Sequence, residues 1–395
     1  MSPAIVDLSL SESPALADRA RSLIPLLRQH SAAAERDRRL TPEVVDALRE
    51  AGLFRMSVPK SHGGDELSVR DQAAVILEIG RGCASAGWLV GITGVVDALA
   101  PLLPESGAGE MFFATPDVFV CNNGGNHDAT ATEVQGGYRV TGRFPTVSGC
   151  EIGDWMLMVT VPVVVDGELG GELVSMVAPL AAAHIERTWD VAGMLGTGSH
   201  TVEYEDLFVP ENHAIKHPVD PQDGLLNLPK PEKFVGLAHR TIAALVGAAY
   251  GALDTVQGML AKGKPLTDTI YGSALESPVA RHWLAEAVHL LDTAYGHLLA
   301  AADLLDASFA AGDMSRLDRT RARRHMTSAI DRSREAISLL LDLGGTGGFA
   351  TGNPLQRYWR DFETGSHHAH FNKLVSIEDY TRALLRIDPA VSVVH

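Results

Sequence analysis

The sequence predicts an α+β fold, mainly α: an N-terminal α-helical domain, a small central antiparallel β domain and a C-terminal antiparallel helical bundle resembling a four-helix bundle. Three observations predict it. Helix punctuation and three- to four-residue apolar spacing mark the first third. Short β-branched runs broken by Gly, Asp and Asn begin near Phe119. Long amphipathic stretches return from Phe234 onward. The expected boundaries are 1–117, 118–215 and 216–395.

In TPEVVDALREAG, Thr41 suits an N-cap, Pro42 the first helical position and Gly52 the stop. Val44, Val45 and Leu48 fall on one face. Further helices are expected at Val69–Gly80 and Ser85–Leu99. The strands are expected in VFVC, ATEVQ, YRVTG, WMLMVTV, LVSMVA and HTVEYEDLFV, with Gly136-Gly137 as a hairpin signal and an end near Pro210. HPVDPQDGLLNLPKPEK reads as a linker. After it, Phe234, Leu237, Ile242, Leu245, Ala249, Leu253, Val256 and Leu260 keep helical spacing. Pro278–Ala311, Ser315–Leu343 and Ser376–Arg386 complete the expected helices.

Composition narrows the function. With 395 residues, 46% hydrophobic and 21% charged, the chain has ordinary globular composition and enough length for two or three packed domains. A formal net charge of −16 repels phosphate backbones and argues against nucleic-acid binding. The only dense basic run, RLDRTRARRH, lacks interleaved aromatics and reads as a solvated helix face or a subunit contact. Cys83, Cys121 and Cys150 are odd in number and widely spaced, so neither a disulfide framework nor a cysteine metal site is expected. The histidines lack HExxH spacing, and no metal is expected. The first twenty residues lack the basic and apolar regions of a signal peptide, and no apolar run has membrane-spanning length. A cytoplasmic protein is expected.

Three segments carry a family resemblance. LTPEVVDALREAGLFRMSVPKSHGG, GGYRVTGRFPTVSGCEIGDWMLM and GTGSHTVEYEDLFVP stand in this order, and together they resemble the acyl-CoA dehydrogenase superfamily over nearly the whole chain. The last segment separates its branches. GGTGGFATGNPLQRYWRDFETGSHHAHFN carries no glutamate in a Y-E-G loop, as acyl-CoA dehydrogenases do. NPLQRYWRD followed by histidines resembles the two-component flavin monooxygenases, which include aromatic hydroxylases and amino-sugar N-oxygenases of natural-product pathways. The resemblance implies a homotetramer and reduced flavin (FMNH2 or FADH2) supplied by a separate NAD(P)H:flavin reductase. O2 is the implied co-substrate, and a C4a-hydroperoxyflavin would hydroxylate a small aromatic or polyketide-like substrate. A diffusible flavin favours FMN. No GxGxxG follows a strand and opens a helix, which fits an external reductase. N-oxygenation of a nucleotide-linked amino sugar and FAD-dependent acyl-CoA dehydrogenation are the alternatives, and a catalytically silent helical assembly protein is a fourth reading.

The same resemblance places residues. Ser148 in TVSGC stands where relatives set a hydroxyl against the flavin N5 edge, although a serine before Gly149 also suits a tight turn. His368 stands seven positions after Asp361, where an imidazole can hydrogen-bond a flavin peroxide or take a phenolic proton. His367 competes with it, His370 less so, and three histidines in four positions also suit a solvated helix end. Trp88, Cys121, Asn122, Asn123, Thr146, Val147, Ser148 and Gly345 are the expected flavin-binding positions. Trp88 equally suits core packing, and Gly124 stands where relatives carry proline. Arg357 and Arg360 are candidates for flavin phosphate or for pairing with Asp361 and Glu363.

Overall fold

The computed structural model describes residues 15–112, 115–123, 128–218 and 231–392, with side chains left out at 218 and 231–234. Gly124 and most of the expected linker lie outside the described residues, as do residues 1–14 of the segment tested for a signal peptide. Seven helices open the fold: α1 Ala15–Ser22, α2 Ile24–Asp37, α3 Pro42–Glu50, α4 Val69–Gly82, α5 Ala84–Ile92, α6 Val96–Leu99 and α7 Glu105–Phe112. Among the described residues eight strands come next: β1 Val120–Asn122, β2 Asp128–Val134, β3 Gly137–Val147, β4 Trp155–Val165, β5 Glu168–Pro179, β6 His184–Glu186, β7 His200–Pro210 and β8 Ala214–Pro218. The last part is helical again: α8 Pro231–Leu260, α9 Pro278–Ala311, α10 Arg316–Gly348, α11 Pro354–Ser366 and α12 Lys373–Leu385. The expected α+β class, mainly helical, is the one observed.

Local signals set many boundaries. The Ser68 side chain accepts from Asp71 N to open α4, Ser277 from Ala280 N to open α9 and Ser315 from Asp318 N to open α10. Gly312 stops α9 in the left-handed region. Residues 344–348, past the expected helix end at Leu343, extend α10, with a kink at Gly345 (φ 53°, ψ −161°).

One sheet runs β6-β7-β3-β2-β4-β5-β8, with β1 beside β4. It is mostly antiparallel, but β4 pairs in parallel with β1 and with a short stretch of β2. The first hairpin closes with Val134 opposite Gly137, so its turn is Gln135-Gly136 and Gly137 already belongs to β3. The sheet continues past Pro210, because β8 pairs with β5.

Helix α8 is the pivot of the chain. Residues 236–253 are buried throughout, which needs a helix apolar on every side rather than on one stripe. Small residues let it touch α4 backbone to backbone: a Cβ on Gly80 would overlap the Ala244 carbonyl, and one on Gly247 the Leu77 carbonyl. Buried Arg240 on α8 is matched by Gln72, the Gly94 carbonyl and Asp97. The basic run on α10 is not simply solvated: Arg316 pairs with Asp388 and Arg323 with Asp379, which ties down α12 and the tail.

Candidate active site

A cavity of about 250 Å³ opens where α5, the sheet, the loop before β7, α8 and the end of α11 converge. Trp88 reaches it from α5, Asn122 from β1, and Leu237 and Thr241 from α8. No carboxylate, lysine or arginine is among the described residues that line it. Its polar groups are amide, hydroxyl, indole and imidazole groups. One of them, the buried Asn122 amide nitrogen, has no hydrogen-bond partner. An orphaned buried donor facing a cavity marks a place where a ligand acceptor completes the bonding.

The hydroxyl side of the cavity is built by a bulge. The β3–β7 register shifts between Phe144 and Val147, and Thr146 takes a left-handed φ of 59°. Such a conformation strains a β-branched residue and re-aims the side chains beyond it. Ser148 thereby comes within 2.8 Å of Ser199 Oγ, which lies 2.7 Å from Thr197 Oγ1. Thr197 donates to the Met194 carbonyl at 2.7 Å, and Trp189 Nε1 donates to the same oxygen at 3.0 Å.

That carbonyl is held from behind. Met194, at φ 57°, donates its N–H to Asp361 Oδ1 at 2.5 Å, and Asp361 is buried on α11. Burial pushes the Asp361 carboxyl up to about 6, against the opposing effect of the Met194 N–H. A Cβ on Gly193 would overlap the Arg360 carbonyl, so the loop can approach α11 this closely only with glycine there. Arg357 and Arg360 are committed elsewhere than expected. Both bind Glu35 of α2, at 2.7 and 2.5 Å, while Glu363 takes Arg334.

The histidines come after α11, which Asn353 caps through Leu355 N with Pro354 in the first turn. His367, His368 and His370 all line the cavity. His368 packs edge-on to Trp88 and against Phe371, with ring centroids 5.6 and 5.7 Å away. Its Nδ1 accepts from His370 N at 3.3 Å. Desolvation by the surrounding protein, with His370 adding to it, lowers His368 to about 4. The ring is therefore neutral at pH 7, with its proton on Nε2. His367 Nδ1 instead bonds the Glu363 carbonyl at 2.7 Å, and its side chain is 72% exposed.

Comparison with known proteins adds to this geometry. Residues 12–103 match the model of the acyl-CoA dehydrogenase N-terminal domain, and residues 241–373 match that of the acyl-CoA dehydrogenase C-terminal domain. The chain is 31% identical to the flavin-dependent monooxygenase oxygenase subunit HsaA of Rhodococcus jostii, over 88% of this chain and 92% of the relative. The chain belongs to the acyl-CoA dehydrogenase family.

Within that family it sits in the two-component flavin monooxygenase branch. It is 28% identical to the oxygenase component of an FADH2-dependent resorcinol hydroxylase of a Rhizobium species, over 93% of this chain and 94% of the relative. The solved structure of XiaF from Streptomyces, in complex with FADH2 and glycerol, superposes with a TM-score of 0.87 at 30% identity. It covers 95% of this chain and 96% of XiaF.

Of the positions expected from family resemblance, Trp88, Asn122, Thr146, Ser148 and His368 meet at the cavity. Cys121 and Val147 do not line it: Val147 turns into the core between cavity-facing Thr146 and Ser148, and Cys121 turns into the core beside cavity-facing Asn122. Burial pushes the Cys121 thiol far up, so it is inert. Asn123 is also buried off the cavity, and its Oδ1 accepts from Val159 N at 2.9 Å. Gly345 lies at the kink of α10 and does not line the cavity either. Sequence reasoning missed Trp189, Met194, Thr197, Ser199 and the α8 residues. The signal for two of them was present: Thr197 and Ser199 stand in GTGSHT, a segment read only as a mark of family.

Proposed function

We propose that this chain is the oxygenase component of a two-component flavin-dependent monooxygenase that hydroxylates a small aromatic substrate with reduced flavin and O2. The observation that carries the reading is the cavity itself: an unpartnered Asn122 donor, the Ser148 hydroxyl and the neutral His368 imidazole, with no carboxylate, lysine or arginine among its described lining residues. These groups fit a planar, uncharged ring system that presents hydrogen-bonding edges.

Reduced flavin, when bound, would supply the two electrons that activate O2, of which one oxygen atom enters the substrate and the other leaves as water. The chain supplies the rest. Asn122 and Ser148 hold the flavin edge, while Trp88, Trp189 and Leu237 exclude water from the space beside it. His368 presents Nε2–H as a donor to an oxygen in the cavity, which favours hydrogen bonding over immediate proton abstraction. Asp361 fixes the wall through Met194. Of the two flavins, FADH2 is named for both the resorcinol hydroxylase and XiaF, and that supports FADH2 here.

The alternatives fit less well. A dehydrogenase needs a carboxylate base at the substrate. None of the described residues lining the cavity offers one, and Asp361 is occupied by the Met194 N–H. A nucleotide-linked amino sugar would have to set its sugar ring among Trp88, Ile92, Trp189 and Leu237, a lining that suits a planar aromatic ring better. A separate reductase delivers the flavin. A homotetramer is supported by the apolar face that α12 leaves to solvent, where Leu374 is 79% and Leu385 65% exposed. Three buried free cysteines support a reducing, cytoplasmic setting, and among the described residues no helix is long and apolar enough to cross a membrane.

The test is to mix the protein with reduced FAD, then with oxygenated buffer, and to follow flavin absorbance and products from a panel of phenols and indoles. A long-lived transient before oxidised flavin appears, with hydroxylated product, is expected. Reoxidation at the rate of free flavin, without product, overturns the reading.

A further inference from the structure

The three hydroxyls beside the cavity can be ordered by their protons. A carbonyl only accepts, so the single hydroxyl proton of Thr197 is committed to Met194 O at 2.7 Å. The opposite orientation would set the lone pairs of two oxygens against each other at that distance. Ser199 Oγ, 2.7 Å from Thr197 Oγ1, must then give its own proton to Thr197. Ser148 Oγ, 2.8 Å from Ser199, must in turn give its proton to Ser199. Each proton is committed to the next oxygen of the row, and Ser148 has none left to donate into the cavity.

Little is free to reverse this order. Thr197 and Ser199 are buried, at 2% and 4% exposure, so little solvent competes with the bonds they make to one another. The terminal carbonyl is fixed by Trp189 Nε1 and, through its own residue, by Asp361. Hydrogen bonds in such a row also polarise one another, which deepens the preference for one direction.

We infer that Thr197 and Ser199 are specificity-determining positioning residues, which hold Ser148 as a hydrogen-bond acceptor toward the cavity and so make the site favour reduced over oxidised flavin. The inference rests on the reading that sets a flavin N5 edge against Ser148. Reduced flavin carries hydrogen on N5 and is a donor there, matched to Ser148. Oxidised flavin offers N5 as a bare acceptor, and Ser148 meets it with lone pairs. A site that discriminates in this way takes flavin from a reductase in the productive form and releases it once oxidised.

The experiment measures dissociation constants of oxidised FAD and, anaerobically, of reduced FAD by ultrafiltration. It compares wild type, Thr197→Val, Ser199→Ala and Thr197→Ser, with folding checked by circular dichroism. Wild type should favour reduced FAD. Thr197→Val and Ser199→Ala free the Ser148 proton to turn toward the cavity, and should each cut the ratio of the two constants about tenfold, the worth of one hydrogen bond matched or mismatched. Thr197→Ser keeps the hydroxyl and should keep the ratio. If Thr197→Val does not fold, Ser199→Ala, which leaves the Thr197–Met194 bond in place, decides. A preference for reduced FAD that persists in a folded variant lacking the relay overturns this inference alone. Wild-type protein that binds neither form overturns the functional reading along with it.

Discussion

Replacing Asp361 by asparagine should make the protein more stable at neutral pH and poorer at holding flavin. Asp361 is buried, and its ionisation is raised from an ordinary 3.8 to about 6, chiefly by desolvation. A carboxyl whose folded pKa lies above its unfolded one favours folding at low pH, and that advantage is lost as the pH rises from about 4 through 6. The difference corresponds to about 3 kcal/mol of ionisation penalty carried by the fold at pH 7.5. The amide introduced by Asp361→Asn would carry no such penalty, but its extra N–H group needs a partner, at a cost of about 1–2 kcal/mol. A net gain of about 1–2 kcal/mol results, shrinking toward zero or reversing near pH 4. The neutral amide also accepts more weakly from Met194 N, so the wall that carries Trp189 and Thr197 loosens and the dissociation constant for reduced FAD rises severalfold. Urea unfolding from pH 4.5 to 8 at fixed protein concentration, paired with anaerobic flavin titration, reads both effects. A variant less stable than wild type at pH 7.5, with a difference that does not change with pH, refutes the reasoning.

Three further outcomes are expected. His368→Ala should lower hydroxylated product per flavin consumed by about 10- to 100-fold and raise H2O2 release in its place, since a positioned hydrogen-bonding group is lost from the cavity; unchanged product and H2O2 yields would contradict the assignment. His368 is exposed at the surface of the chain but crowded by Trp88, His370 and Phe371, which holds its imidazole neutral, so a modest contribution to stability is present above its ordinary 6.5 and is lost as the pH falls toward about 4; a wild-type stability profile that matches that of His368→Ala over this range would argue otherwise. Gly193→Ala should destabilise the fold by about 1–3 kcal/mol through overlap with the Arg360 carbonyl and should weaken flavin binding, and thermal melting that matches wild type would show that the loop has room to move.

Much of the architecture could be read from local chemistry. Ser277-Pro278 and Gly312 mark helix ends by rules that act within a turn or two, and Pro42 opens α3 while the Thr41 hydroxyl, instead of capping it, bonds His30 Nδ1. The helix, sheet, helix order follows from periods of 3.6 and 2. The turn before β3 was legible to within one residue, since only pairing across the hairpin decides that Val134 faces Gly137. A segment such as NPLQRYWRDFETGS shows a helix cap in its sequence, but its fate depends on burial of Leu355, Tyr358 and Phe362 against distant helices.

The sequence by itself determined the fold class and the family resemblance, and it pointed to two groups that line the cavity, Ser148 and the histidines around His368, because each is carried by contiguous residues. Tertiary structure alone decided which neighbours face the cavity and how they are polarised. The wall from Trp189 to Ser199 is placed by a bond from Met194 to Asp361, 167 residues away in sequence, and by the close approach of Gly193 to Arg360. The order of the hydroxyl protons depends on three oxygens from two strand-end segments meeting at one carbonyl. Periodicity and capping act over a few residues, whereas burial, tautomer and proton direction are set by what the folded chain brings together from far apart.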